Sequence, residues 1–214
     1  MAIRQITRDI IKLVEERSGI PVRITEDPKL DTTAVVRMAR RGGAPVHLVL
    51  YRPIAGVTPD YRICYECCFI LRQFSVPPEK RFDLGYSPRG HDAIEKLMTA
   101  PGGVASAYRL DAGQVQELAD VFLSGLLIHL RSIPVGLRIN QWLAEHYPDL
   151  GSLEDEYVKG ELDTALRTLA DNIRQSSPAK VFQATQAINA AYANFWAEKL
   201  GRPEIRQSLP DAWL

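Results

Sequence analysis

Between residues 4 and 17 (RQITRDIIKLVEER) the apolar positions Ile6, Ile10, Ile11 and Val14 recur at helical spacing, and Ser18-Gly19 interrupts the pattern ahead of Pro21. A first helix is predicted there. Three short runs follow, PVRIT at 21–25, TAVVRMA at 33–39 and HLVLY at 47–51, rich in β-branched residues and bounded by Asp/Pro or Gly/Pro punctuation, which reads as three strands. The RRGGAP stretch at 40–45 is a turn sequence, so the second and third strands are expected to pair antiparallel. Thr58-Pro59-Asp60 then offers an N-cap, a proline at the first helical position and an acid in the first turn, ahead of an apolar-rich stretch ending at Phe74. Residues 75–90 (SVPPEKRFDLGYSPRG) hold too many prolines and glycines for regular structure and predict a surface loop. Beyond it the pattern is helical, with helices expected at 91–99, 113–132, 135–147, 152–175 and 178–200, the last capped by Ser177-Pro178 and ended at Gly201.

Strands confined to the first quarter and helices filling the rest predict an α+β fold: a helix on a small three-stranded sheet, followed by a helical C-terminal half. The segments joining these parts are too short and apolar for a flexible linker. The expectation is one compact unit over 1–214, with lobes at 1–75 and 91–203.

Composition narrows the function classes. The 214 residues carry 26 Lys+Arg against 26 Asp+Glu, a formal net charge of zero, and the one basic cluster (Arg37, Arg40, Arg41) is short. Nucleic acid is therefore not the expected partner. No run approaches 18 consecutive apolar residues and the polar start MAIRQITRDI has no apolar signal core, so a cytoplasmic protein off the membrane is expected. The three cysteines, Cys64, Cys67 and Cys68, are crowded and odd in number, unlike a secreted disulfide framework. No phosphate-cradling glycine motif is present, and the histidines His47, His91, His129 and His146 are scattered.

The informative stretch is PDYRICYECCFILRQF at 59–74, with Tyr65-Glu66-Cys67-Cys68-Phe69 in mid-helix behind the strands. It resembles a broken zincin motif. In prokaryotic zincin-type metallopeptidases of the ImmA/IrrE-like group, a strand-rich start leads into a helix reading roughly D-Y-L-I-A-H-E-C-G-H-x-L-R. Asp60-Tyr61, Glu66, Cys67, Leu71 and Arg72 match, while Tyr65 and Phe69 stand where both histidines belong. A second stretch, IPVGLRINQWL at 133–143, is similar to a downstream segment of that group, approximately P-V-D-L-R-I-E-x-W-L, with Gly136 and Asn140 at its two acidic positions. The resemblance implies a zincin-like fold in which the downstream helix faces the first and would deliver a third ligand or supporting carboxylates.

The chemistry gives those replacements their meaning. Imidazoles at i and i+4 share a helical face and hold one Zn²⁺, while the intervening Glu polarises its water. Phenylalanine has no ligand atom, and a phenol with a reference pKa of about 10 binds poorly unless deprotonated. The expectation is thus a site without metal or cofactor, whose vestigial positions are Tyr65, Glu66, Phe69, Gly136 and Asn140, in a non-catalytic protein that serves as an interaction or regulatory module and binds another protein. Phe69 is expected to be substantially buried against the strands or the downstream helix, filling space that a metal would otherwise take. The competing reading is an active metal-dependent hydrolase or peptidase with a displaced site, Glu66 as base and a metal on Cys64 and Cys68 or on distant histidines. A DNA-binding repressor fits neither the neutral charge nor the helix pattern.

Each feature also has a plainer explanation. Tyr65 and Phe69 form an aromatic pair of the kind that packs cores, Glu66 lies within helical reach of Arg62 at i−4, and the cysteines serve as small apolar side chains. The alanines at 184, 187, 190, 191 and 193 allow close helix packing.

Overall fold

A computed structural model describes residues 3–39, 44–81, 86–167, 171–199, 201 and 203. Arg40, Arg41 and most of the expected hairpin tip, part of the 75–90 loop, and residues 168–170 and 200 lie outside them. The chain divides into two compact units, one made of Met1–Phe82 and Val135–Tyr157, the other of Asp83–Pro134 and Val158–Leu214. Residues 135–157 thus belong with the N-terminal unit, whereas the sequence pattern groups them with the helical half.

In the first unit, α1 (Gln5–Ser18) buries Thr7, Ile10 and Val14 along one face. It ends where Gly19 takes a left-handed conformation, φ 70°, and returns its N–H to the Glu15 carbonyl at 2.9 Å, a geometry that costs glycine least. The strands are β1 (Val22–Glu26), β2 (Ala34–Arg37) and β3 (His47–Tyr51), in spatial order β1-β3-β2. β2 runs antiparallel to β3, with Val36 opposite Val49, as the turn sequence between them predicts. β1 runs parallel to β3, with Ile24 opposite Val49. β3 is therefore central, which explains its largely apolar run after His47, while β1 at the edge is half-buried at Val22 and Ile24 and exposed at its other positions.

α2 (Asp60–Phe74) packs on α1, β2 and β3. The cap differs from expectation. Pro59, not Thr58, is the N-cap, without a side-chain cap bond. The Asp60 carboxylate, 1% exposed, instead accepts the Arg4 N–H at 2.8 Å and the Thr7 hydroxyl. Two donors from the start of α1 outcompete its own helix, and the negative charge sits at the positive end of that neighbour's dipole. The core joins Ile10, Val14, Val49, Tyr61, Ile63, Cys64, Cys67, Cys68 and Ile70 to Ile139, Leu143 and Leu150 from the later segment. Each large apolar side chain among them contributes about 1.5–3 kcal/mol of burial.

In the second unit, α3 (Pro88–Thr99) starts earlier than expected because the Ser87 hydroxyl caps it, accepting the Gly90 N–H at 3.0 Å, with Pro88 in the first turn. A short α4 (Val104–Tyr108) precedes α5 (Ala112–His146). The two helices expected at 113–132 and 135–147 are one, with Pro134 inside it. Proline's fixed φ is compatible with a helix; its missing N–H and its ring cost about 3 kcal/mol. Apolar packing on both sides offsets this, through Val115, Ala119 and Leu123 in the second unit and Ile139 and Leu143 in the first. The chain passes between the units three times, after Phe82, after Pro134 and after Tyr157. α6 (Gly151–Arg167), α7 (Asp171–Ser176) and α8 (Ala179–Lys199) complete the described helices, α8 burying Trp196 fully and ending near Gly201, φ 62°. The fold is α+β, with a small mixed sheet and a helical C-terminal half.

Candidate functional site

The first unit brings four of the five singled-out positions together. Tyr61, Tyr65 and Phe69 follow one another at four-residue steps on α2, and Gly136 and Asn140 do the same on α5, so each helix presents a single stripe. The stripes meet in register. The Tyr61 hydroxyl donates to Asn140 Oδ1 at 2.8 Å, within the buried interior. One turn further along, a Cβ built on Gly136 would fall well inside van der Waals contact of the Tyr65 hydroxyl, and 3.3 Å from Tyr65 Cζ. Gly136 is therefore the residue that leaves the Tyr65 phenol its place.

Aromatic rings close the cluster. Tyr65 meets Phe69 edge to face at 5.3 Å, and Tyr157, from the start of α6, lies 5.0 Å from the Tyr65 ring and 5.2 Å from the Tyr61 ring. Such geometries add about 0.5–1.5 kcal/mol per pair beyond burial. Phe69 is partly buried: it is the last of the stripe and packs at the margin of the core. Tyr157 has no place in the sequence-derived set. Its one signal is its four-residue spacing from Leu153, which packs against the same core.

The site has no metal-binding chemistry. Three phenols, a benzyl ring, a glycine and a primary amide offer neither imidazole nor carboxylate, so the residues present do not fit a zinc ion. Asn140, 1% exposed, keeps its Nδ2 without a hydrogen-bond partner among the described residues. An orphaned buried donor of this kind costs about 1–3 kcal/mol. Glu66, one residue from Tyr65, is half-buried, off the stripe of α2 that meets Gly136 and Asn140. Arg62 points elsewhere, donating Nη1–H to the Arg52 carbonyl at 3.1 Å. Burial pulls its guanidinium below the usual value, against the opposing charge of Glu156.

The cysteines are all free and buried. Desolvation pushes the Cys64 thiol up to about 12, partly offset by its contact with Thr7 at 3.6 Å, and pushes Cys67 and Cys68 above their ordinary value too. Burial thus disfavours the thiolate, the form that attacks electrophiles. His47 is wholly buried: its Nδ1 accepts the Ala39 N–H at 3.0 Å, which places the proton on Nε2, and its ring meets Phe74 edge to face at 5.3 Å. Burial lowers its pKa.

Among the described residues, one group has metal-ligand geometry, and it lies in the second unit. Ligand atoms of His91, Asp92 and Glu95 on α3 fall within 4.8 Å of one another, and His91 Nε2 is 3.4 Å from Asp120 Oδ1. The H-D-x-x-E spacing is its signal in the sequence, one that a search for paired histidines passes over. Asp92 is exposed, and the group stands apart from the α2–α5 stripe in sequence and unit. No protein-family model, curated protein or solved structure matches the chain.

Proposed function

We propose that the chain is a catalytically inactive, metallopeptidase-like protein, an interaction or regulatory module that acts on another protein in a prokaryotic cytosol. One observation carries this reading. The positions at which the resemblance places two histidines and two acids lie on facing stripes of α2 and α5, and they hold complementary replacements: a phenol at 65 with a glycine at 136, and a tyrosine-bound amide at 140. Losing a catalytic group at random leaves a gap, whereas here one replacement makes room for the other. The rival reading, a displaced metal on Cys64 and Cys68 or on distant histidines, has against it that both sulfurs are enclosed in the apolar core of the first unit, with no imidazole among the described residues of that core.

Zinc affinity tests the proposal. The protein is expected to purify without zinc and to keep its Tm in EDTA, since a metal bound only to the folded state would raise it. Tyr65→His with Phe69→His restores two imidazoles, and two ligands bind zinc weakly. Adding Gly136→Asp and Asn140→Glu should then raise affinity well over tenfold, measured by competition with a chromogenic indicator. Equal affinity in the double and quadruple variants would withdraw the zincin-like reading. Stoichiometric zinc in the wild type, lost together with a hydrolytic activity in Glu66→Gln, would establish the enzyme instead.

A further inference from the structure

α5 is the one described helix long and apolar enough, by length and composition, to cross a membrane, and only 11% of its most apolar 18 residues are buried. In the second unit its buried side is formed by Val115, Ala119 and Leu123. On the opposite side Glu117, Val121, Ser124, Gly125, Ile128 and Arg131 fall within an arc of about 120° at 100° per residue. Val121 is 63% and Ile128 56% exposed. Gly125 between them has no internal reason: a Cβ there would meet nothing within 4 Å. A glycine in mid-helix costs about 1 kcal/mol against alanine. At Gly136 the space is taken by Tyr65; at Gly125 nothing in the described chain takes it.

We propose that this face pairs with the same face of a second copy of the chain, antiparallel, about a two-fold axis between Ser124 and Gly125. The face is self-complementary under that operation. Val121 and Ile128 are equidistant from the axis, so each meets the other residue of the second copy. Glu117 and Arg131 are nearly so, on the same side of the contact line, and form two opposite-charge pairs across it. Ser124 and Gly125 sit where the backbones approach most closely, and the helix dipoles oppose. Spanning a bilayer is disfavoured because Glu117, Asp120 and Arg131 lie within residues 117–131, and a charged side chain costs about 2.5–3.5 kcal/mol at a bilayer centre.

Sedimentation equilibrium of the full chain from about 1 to 200 µM tests this. A monomer–dimer equilibrium within this concentration range is expected. Glu117→Arg should weaken it at least tenfold, and Glu117→Arg with Arg131→Glu should restore it to within threefold of wild type. Gly125→Ala should raise the Tm of dilute protein while weakening the dimer at least tenfold, two effects that misfolding could not produce together. A monomer at every concentration, a dimer indifferent to Glu117→Arg, or a charge swap that fails to restore it would overturn the proposal. So would co-sedimentation of the monomer with phosphatidylcholine–phosphatidylglycerol vesicles, which would assign the face to lipid.

Discussion

Gly136→Ala adds one methyl group in the middle of a helix, and it should be harmful only because of Tyr65. In a solvent-exposed helix the change would stabilise by about 1 kcal/mol. Here the new Cβ collides with a hydroxyl at the end of a rigid ring that is itself held between Phe69 and Tyr157. Overpacking of that kind costs about 1–3 kcal/mol. The net expectation is a loss of about 0–2 kcal/mol. Tyr65→Phe alone removes a buried hydroxyl and should cost about 0.5–1.5 kcal/mol. In the double variant the colliding atom is gone and the nearest remaining one, Cζ, is 3.3 Å away, close enough for small adjustments. Gly136→Ala should therefore become neutral or stabilising once Tyr65→Phe is in place, giving a coupling of about 1–2 kcal/mol in the double-mutant cycle. Urea denaturation followed by far-UV circular dichroism measures all four proteins, and about 2–4 °C of Tm per kcal/mol is expected at this size. Additivity within about 0.5 kcal/mol would show that the phenol does not stand over residue 136, and the argument for paired replacements would fail.

Buried His47 and half-buried His129 should make the fold acid-sensitive: desolvation lowers the pKa of both, so below the ordinary value of 6.5 the unfolded chain binds protons that the folded one does not. Stability should be complete above that pH and fall as the pH drops toward each folded-state pKa, by up to about 1.4 kcal/mol per unit and per group. His47→Asn, which keeps an acceptor for the Ala39 N–H, should flatten the slope of urea midpoints between pH 7 and 5; an unchanged slope would exclude His47. An aromatic disulfide reagent at pH 8 should label none of Cys64, Cys67 and Cys68 in the native protein and all three in urea, and fast native labelling would contradict their burial. Phe69→Ala should cost about 1–2 kcal/mol, less than the 3–5 kcal/mol of a fully enclosed ring, and a loss in the upper range would mean that the ring is enclosed after all.

The elements of the first unit were legible because each has a strong local cause. Leu48 to Tyr51 carry an unbroken run of large, mostly apolar side chains since β3 has neighbours on both sides, and Gly19 supplies the conformation that ends α1. The antiparallel pairing of β2 and β3 follows from the turn sequence, but the parallel β1–β3 pairing leaves no local trace, because it depends on what the intervening chain does. Pro134 misled for the opposite reason: its local signal is to break a helix, and packing at a distance overrides it. Asp60 is the first-turn acid of its own helix, as the sequence predicts, and only the fold shows that its carboxylate also serves α1. For the site, the shared face of Tyr65 and Phe69 is readable from spacing, and Gly136 and Asn140 are singled out by the resemblance alone; Tyr157 has neither signal, since an aromatic residue on one helix says nothing about which other helix it meets.

The first unit is discontinuous in the chain, and that sets an order of events during synthesis. The segment that completes its core, with Ile139, Leu143 and Leu150, emerges only after 52 residues assigned to the other unit have been made. Until then α1, the sheet and α2 can associate, with Asp60 already gripping Arg4 and Thr7, but Tyr61 has no Asn140 to bind and the aromatic side of α2 faces water. Closing this unit is therefore a late, long-range step, of the kind that slows folding and leaves apolar surface open to chaperones. A chain cut at residue 82 would keep all three strands and the whole aromatic stripe of α2, and would be expected to aggregate through that stripe.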